Sequence, residues 1–326
     1  MRRREFIALV GGAAAASPLA VRAQQSAMPV IGFLRNTAAT GYNPMVTAFV
    51  QGLKEAGFVA GENVAIEYRW ADNQNDRLPT LAADLIRRQA TVIMAAGIPA
   101  ALAAKAATTT IPIVFEIADD PVEIGLVASL NRPGGNLTGV TTLNVELAPK
   151  RIELLHEAVP TTRSIAPLVD AGNPVNEPLS TDTQTAAQTL GLQLHVLHAR
   201  TERDFDTVFA STVQMQVGAL VINYGPLFLS RVEQVAALTV RHAVPAISAY
   251  REFTAAGGLM SYGGGLTEAY RLTGVNVSRI LKGERPANLP VQQATKVELF
   301  IKLKTAKALG LTVPQSLRAT ADDVIE

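Results

Sequence analysis

Cysteine is absent from this chain of 326 residues. A chain without a thiol has no disulfide framework, no thiolate metal site, no cysteine nucleophile and no cysteine to carry a lipid anchor. Charge is scarce as well, since charged side chains make up 17% of the residues and the net charge is +1. Once residues 1–23 are set aside, the remaining chain carries a net charge of −2. Because a nucleic-acid-binding protein needs a basic surface, we expect no nucleic-acid partner.

The sequence also lacks the motifs of common catalytic and cofactor sites. G-x-S-x-G and H-E-x-x-H do not occur, and the glycine runs 134–135 and 263–265 lack the spacing of a nucleotide-binding loop. The histidines form no metal-ligand motif, and they stand at His156, His195, His198 and His242. We therefore predict no catalytic residue, no metal and no cofactor.

Residues 1–23 have the pattern of a secretory signal peptide. Arg3 and Arg4 begin a twin-arginine pattern. The apolar and small-residue core from Ile7 to Ala20 is shorter than the ~20 residues that span a bilayer. The core ends at a small-x-small site, so we predict cleavage after Ala23 and export to the periplasm.

From Val30 onward, short apolar runs alternate with segments of helical spacing. This alternation predicts an α/β fold with parallel sheets and right-handed crossovers. Two such series of similar size follow one another, which predicts two Rossmann-like lobes with a ligand cleft between them. A single larger doubly wound domain is the structural alternative.

The segment from Pro112 to Asn144 contains the most informative pattern. An apolar strand is followed by the turn Ala118–Pro121, then by an apolar segment with helical spacing from Val122 to Leu130. Ligands of open α/β sheets bind beyond the carboxyl ends of the strands, where this turn lies. Asp119-Asp120-Pro121 is typical of a helix start, and a helix N-terminus can also bind an anion.

Two stretches carry a family resemblance: PIVFEIADDPVEIGLVASLNRPGGNLTGV, beginning at Pro112, and LKTAKALGLTVP, beginning at Leu303. They resemble the substrate-binding proteins of a group of bacterial ABC transporters, some of which are associated with tryptophan and other aromatic amino acids. The resemblance runs from about Pro29 to the end of the chain. It implies the fold of type I periplasmic binding proteins, in which a three-segment hinge joins the two lobes.

The resemblance also implies the domain boundaries. Three crossings between the lobes are expected near Thr142, Tyr262 and Val291. On this basis lobe 1 comprises residues 28–142 and about 262–326, and lobe 2 comprises residues 143–261.

The function implied by the resemblance is that of a periplasmic solute-binding protein of an ABC importer. It would bind an amino acid or a small carboxylate between the lobes and deliver it to a permease in the inner membrane, without catalysis and as a monomer. A ligand-sensing module for a membrane receptor is the alternative, and an exported enzyme on a similar scaffold is a second one.

A binding protein needs short polar groups and free backbone N–H groups at several strand ends that face one cleft. Each such residue is singly more typical of a turn or a cap, so the prediction rests on their shared position at strand ends. The candidate ligand-binding residues are Asn36, Thr37, Thr40, Gly97, Ile98, Ala118, Asp119, Thr142, Asn144, Asp170, Asn173, Tyr224, Ser248 and Tyr262.

Overall fold

The computed structural model describes residues 28–172, 181–294 and 296–326. The predicted signal peptide and the predicted ligand contact Asn173 lie outside the described residues. No described helix is both long enough and apolar enough to cross a membrane.

The described chain alternates between strands and helices, as the sequence pattern predicts. The strands are β1 (Val30–Arg35), β2 (Ala65–Trp70), β3 (Val92–Ala96), β4 (Ile113–Ile117), β5 (Leu137–Thr141), β6 (Ser164–Asp170), β7 (Gln193–Leu194), β8 (Leu197–Ala199), β9 (Ala219–Ile222), β10 (Ala246–Ser248), β11 (Met260–Gly264), β12 (Gln292–Gln293), β13 (Val297–Lys302) and β14 (Asp323–Ile325). The helices are α1 (Asn43–Glu55), α2 (Leu78–Arg87), α3 (Ile98–Ala107), α4 (Ala148–Ala158), α5 (Thr181–Thr189), α6 (Phe205–Gln214), α7 (Pro226–Ser230), α8 (Val232–Arg241), α9 (Arg251–Ala255), α10 (Leu266–Leu281), α11 (Leu303–Ala308) and α12 (Gln315–Thr320).

Two sheets form the centres of two lobes, which confirms the predicted two-lobed α/β fold. The first sheet has the order β12-β5-β4-β3-β1-β2, and all of its pairings are parallel. The second has the order β14-β13-β11-β10-β9-β6-β7, with β8 also paired to β6. The pairings of this second sheet are parallel except for that of β11 with β13, which is antiparallel. The chain reaches β13 from the first lobe.

Helix α10 is locked against the first lobe by glycine. A Cβ at Gly52 of α1 would lie 2.0 Å from the carbonyl oxygen of Arg271, and one at Gly274 would lie 2.2 Å from that of Phe49. The two helices therefore touch backbone to backbone, which only glycine allows. As a result α10 belongs to the first lobe, although it follows a strand of the second.

The chain crosses between the lobes in three places. It leaves β5 of the first sheet at Thr141 and reaches α4, it passes from β11 of the second sheet to α10 through Gly265, and it returns from β12 to β13 across residues 294–296. Tyr262 lies within β11, so the second crossing comes a few residues after that position.

The assignment of the whole segment 262–326 to lobe 1 is wrong for its last part. Residues 297–326 lie in the second lobe, because β13 pairs with β11 and β14 pairs with β13. Leu299, Ile301 and Leu317 are buried in the core of the second sheet. A third crossing returns the chain to the second lobe, so the C-terminal segment completes that lobe.

The helix predicted over Val122–Leu130 is also wrong. Residues 121–125 form successive turns, and Gly125 has a φ of 72°, which interrupts a right-handed helix. Val122 is exposed, so the apolar residues of this segment do not share one buried face. The carboxylate of Asp120 accepts a hydrogen bond from Val122 N at 2.7 Å, which fixes the turn rather than a helix start. No helix N-terminus for an anion exists at this point.

Candidate functional site

A cavity of about 600 Å³ lies between the carboxyl ends of strands from the two sheets. The first lobe contributes Asn36, which directly follows β1, together with Asp72, Asn73 and Asn75. The second lobe contributes Asp170 at the end of β6, residues 200–203, and the region of α7. Its volume is in the range of small-molecule sites, and its position between strand ends is where such folds bind ligands.

Two predicted residues, Asn36 of the first lobe and Asp170 of the second, line this cavity. Asn36 is buried, and no described residue donates a hydrogen bond to its side-chain oxygen Oδ1. Asp170 is buried as well, and its carboxylate accepts hydrogen bonds from Gly172 N at 3.0 Å and Leu227 N at 3.1 Å. Asn36 Oδ1 is turned toward Gly97 and is buried, whereas the carboxylate of Asp170 organises the start of α7.

Charged side chains of both signs line the cavity. The cationic ones are Arg200, Arg203 and Arg231, and the anionic ones are Asp72, Asp170 and Glu202. Arg231 is paired with Glu202. The ion pairs found among the described residues do not include Arg200 or Arg203. A lining of this kind suits a ligand that carries a positive and a negative group.

A buried charged pair lies next to Asn36 in the first lobe, and it consists of Arg35 of β1 and Glu116 of β4. Both side chains are almost completely buried, and Arg35 Nη1 lies 3.8 Å from Glu116 Oε2. Arg35 Nε donates a hydrogen bond to Thr37 Oγ1 at 2.9 Å, and Nη1 also donates to the phenol oxygen of Tyr270. The guanidinium stacks over the ring of Tyr42, with its Cζ 3.6 Å from the ring centre.

Tyrosine rings from both lobes surround this pair. Tyr42 and Tyr270 come from the first lobe, and Tyr224 and Tyr250 come from the second. The rings of Tyr224 and Tyr250 are 5.2 Å apart, and the hydroxyl of Tyr250 accepts a hydrogen bond from Gly225 N at 3.0 Å. Burial raises the pKa of all four phenols, so they stay neutral at physiological pH.

The protonation states of the pair follow from burial and from each other. Burial raises the pKa of Glu116 to about 7, against the opposing effects of Arg35 and Tyr270. Burial acts to lower the pKa of Arg35, but the neighbouring Tyr270, Tyr42 and Glu116 outweigh it, so that the guanidinium stays charged. Glu116 Oε1 has no hydrogen-bond partner within the described part of the chain.

The predicted contacts at the crossings bond mainly to one another. Asn144 Oδ1 accepts a hydrogen bond from Gly264 N at 2.7 Å, and its Nδ2 donates to Thr142 Oγ1 at 3.1 Å. The carbonyl oxygen of Tyr262 accepts from Nε of the buried Arg151 at 2.8 Å. These residues tie the first two crossings together and thereby form part of the hinge.

The remaining predicted residues are spread over several environments. Thr37 accepts a hydrogen bond from Arg35, and Ser248 accepts one from Tyr250 N at 3.2 Å. Thr40 is exposed, whereas Ile98 and Ala118 are buried. Gly97 has a φ of 87°. Asp119 lies beside the first crossing, where burial and, after it, the charge of Glu146 raise its pKa to about 6. The structure does not bring all of these residues to one cavity.

Arg35, Tyr42, Glu116, Tyr250 and Tyr270 were missing from the candidates predicted from the sequence. Two of them had a readable signal: Arg35 ends the apolar run VIGFLR, and Glu116 interrupts the apolar run IVFEI. An ionisable residue inside a buried strand needs a partner, so the two charges could have been paired from the sequence. The tyrosines gave no such signal, because aromatic residues are common in cores.

No group of three or more potential metal-ligating side chains occurs among residues 28–172, 181–294 and 296–326. The site offers hydrogen-bond acceptors, charges of both signs and aromatic rings. These are groups that bind a small molecule.

The sequence and the fold of this chain are similar to those of known proteins. The family model described as ABC transporter substrate binding protein matches residues 30–325. A tyrosine-binding protein from Clostridioides difficile (strain R20291) is 25% identical over 265 residues, which are 81% of this chain and 75% of that protein. The structure of an ABC domain in complex with L-Trp from Streptococcus pneumonia is 23% identical, with a TM-score of 0.81 over 91% of this chain and 99% of that chain. The ligand-free, open structure of a substrate-binding protein with adhesive properties from Clostridium difficile is 25% identical, with a TM-score of 0.63 over the same shares.

Proposed function

Because this chain belongs to the family of ABC transporter substrate-binding proteins, we propose that it binds an amino acid between its two lobes and delivers it to the permease of an ABC importer. The observation that carries the proposal is the cavity of about 600 Å³ between the strand ends of both sheets. A ligand held there contacts both lobes at once, so its binding free energy favours their closure.

The lining of the cavity supports an amino acid as the ligand. An amino acid is a zwitterion at neutral pH, and the cavity presents Asp170 for an ammonium group and Arg200 and Arg203 for a carboxylate. Asn36 also lines the cavity and has a side-chain amide that can form hydrogen bonds. The relatives described as tyrosine-binding and as an L-Trp complex favour the same ligand class.

The arrangement of the lobes fits the closed, ligand-binding state. Tyr224 and Tyr250 of the second lobe are packed into the same apolar core as Tyr42 of the first lobe. The chain also superposes better on the L-Trp complex than on the ligand-free, open structure, at equal coverage. Hinge motion at the three crossings would open the gap and release the ligand.

Export completes the proposal. The twin-arginine pattern and the small-x-small site in residues 1–23 support a periplasmic location for the protein, where it meets its ligand before the permease does.

The test is a thermal-shift screen of the purified protein with the twenty amino acids, followed by calorimetric titration of each hit. A ligand at a hundred times its dissociation constant adds about 2.7 kcal/mol to the free energy of unfolding, which is readily seen. We expect at least one amino acid to bind, and Asn36→Ala to weaken it. Val213→Ala, at an exposed position outside the lining of the cavity, is the control. A folded protein that binds no amino acid contradicts the proposed ligand class.

A further inference from the structure

A second cavity, of about 520 Å³, lies beside the second and third crossings, and we call it the hinge cavity. The first lobe contributes the start of α10 with Leu266, and the second lobe contributes Phe300 of β13. Gly265 of the second crossing and Ala294 of the third also line it. Among the described residues, none lines both this cavity and the one proposed for the amino acid. The hinge cavity is therefore a separate space, with a volume typical of small-molecule sites.

The glycine run 263–265 forms one wall of the hinge cavity. Packing requires glycine at Gly263, because a Cβ there would lie 2.2 Å from the carbonyl oxygen of Ala249. At Gly265 neither the backbone nor the packing requires it, since φ is −65° and a Cβ would meet nothing closer than 3.7 Å. A larger side chain at Gly265 would extend into the hinge cavity, so the glycine keeps this space open.

One cation of the hinge cavity has no counter-charge. Arg251 belongs to none of the ion pairs among the described residues, and its guanidinium lies over the ring of Phe300, with Cζ 4.3 Å from the ring centre. The carboxyl group of the next residue, Glu252, is half-buried, and burial raises its pKa. Glu252 also lines a neighbouring cavity between the starts of α1 and α8. The N–H groups of Arg251 donate to no described residue, so they are open to a ligand.

The other charged side chains of the lining have partners. Glu298 is paired with Lys296, whose Nζ lies 2.5 Å from Oε1. Glu268 accepts two hydrogen bonds from Arg271, at 2.7 and 2.8 Å. Arg251 is therefore the lining cation that an anionic group of a ligand can pair with.

Apolar side chains from both lobes supply the rest of the wall near this cation. Phe300 of the second lobe is buried under the guanidinium of Arg251. Leu266 and the half-buried Leu272 come from α10 of the first lobe. An apolar group between these side chains contacts both lobes.

We propose that the hinge cavity is a second binding site, which takes a small carboxylate with an apolar body. The carboxylate accepts hydrogen bonds from the guanidinium of Arg251, and the apolar body lies between Leu266 and Phe300. Because the walls belong to both lobes, a bound molecule favours the lobe arrangement of this structure. The site does not depend on the ligand of the amino-acid cavity.

The experiment is calorimetric titration of the purified protein with phenylacetate, which joins a carboxylate to a single ring. We expect a dissociation constant of about 1 mM or tighter. Phenylacetamide has nearly the same shape but no charge. It should bind at least about tenfold more weakly, because a hydrogen bond between two charged groups is stronger than one to a neutral amide.

Two substitutions test where the probe binds. Arg251→Gln removes the cation and Gly265→Leu fills the space, and each should weaken phenylacetate binding at least about tenfold. Arg241→Gln removes the same charge at an exposed position outside the lining, and it should leave the affinity unchanged. Arg200→Gln, in the amino-acid cavity, should also leave it unchanged.

The contrary outcomes are distinct from those of the amino-acid screen. A dissociation constant weaker than about 1 mM, or equal affinities for phenylacetate and phenylacetamide, would overturn the inference. So would binding that Arg200→Gln weakens and Arg251→Gln does not, because the probe would then occupy the amino-acid cavity. If Gly265→Leu does not fold, the comparison of Arg251→Gln with Arg241→Gln decides alone. The proposed function is tested with amino acids and stands or falls separately.

Discussion

The guanidinium of Arg151 donates a hydrogen bond from Nη2 to the carbonyl oxygen of Asn144 at 2.6 Å, and the chain between these two residues leads into α4. Arg151 is only 1% exposed, and its other described bond goes to the carbonyl oxygen of Tyr262. The first two crossings are therefore held by one buried side chain that pairs with carbonyl groups instead of a carboxylate. Burial without a carboxylate lowers the pKa of Arg151 to about 10.

Replacing this side chain should destabilise the protein. In Arg151→Met the volume is largely kept, but the carbonyl groups of Asn144 and Tyr262 lose their donors. We expect the free energy of unfolding to fall by about 1–3 kcal/mol, measured by denaturant unfolding. Lys150→Met, next to it but exposed, should change it by less than about 0.5 kcal/mol. Equal effects of the two substitutions would mean that the Arg151 bonds contribute no stability.

The contact between α1 and α10 gives a second prediction. In Gly274→Ala, the new Cβ would lie 2.2 Å from the carbonyl oxygen of Phe49, so the helices must move apart. The gain in helix propensity is about 1 kcal/mol, and the cost of overpacking is about 1–3 kcal/mol or more, so we expect a net loss of stability. Gly265→Ala is the matched control, because its new Cβ meets nothing closer than 3.7 Å. Thermal unfolding of both variants would reveal the difference, and a Gly274 variant as stable as the control would contradict it.

Protonation of Glu116 should make stability depend on pH. Its pKa is about 7 in the folded protein and near 4.5 without the fold, so the folded state holds the proton more tightly. The free energy of unfolding should therefore fall by roughly 3 kcal/mol as the pH rises from about 4.5 to 7, because the folded protein resists ionisation of this carboxyl group.

The substitution Glu116→Gln imitates the protonated group and tests this pH dependence. Denaturant unfolding at pH 5 and at pH 8 should show that the variant gains stability relative to the wild-type protein as the pH rises. A stability difference that is the same at both pH values would rule out a raised pKa for Glu116.

A fourth prediction concerns the aromatic wall on the second lobe. Tyr224→Ala removes a ring that lies 5.2 Å from the ring of Tyr250 and is close to Arg35 and Glu116. The half-buried position allows the variant to fold, whereas ligand affinity should fall at least about tenfold through the lost contact area. Calorimetric titration with the ligand found in the amino-acid screen measures the change. Wild-type affinity in the variant would remove Tyr224 from the site.

The strand ends could be predicted from the sequence, because an apolar run followed by a polar turn has a simple physical meaning in a parallel sheet. That pattern led to Asn36 and Asp170, which line the cavity between the lobes. It also led to Thr142 and Asn144, whose hydrogen bonds hold the hinge. Position at a strand end predicts nearness to the gap, but it does not say which side chain turns toward it.

Other parts of the site depended on contacts that are distant in sequence. Arg35 and Glu116 are separated by a whole strand, β3, and each looks like an isolated charge in the sequence. The apolar residues of Val122–Leu130 have the spacing of a helix, but this segment forms turns. The positive φ of Gly125 interrupts a helix there, and Val122 is exposed rather than buried. Local periodicity could not reveal these outcomes, since they are set by packing against other segments.

The third crossing gives the molecule a practical property. Met28 lies beside β1 of one lobe, and Glu326 follows β14 in the other lobe. A pair of fluorophores attached at these two residues would therefore sit on different lobes. Energy transfer between them would follow the opening and closing of the lobes.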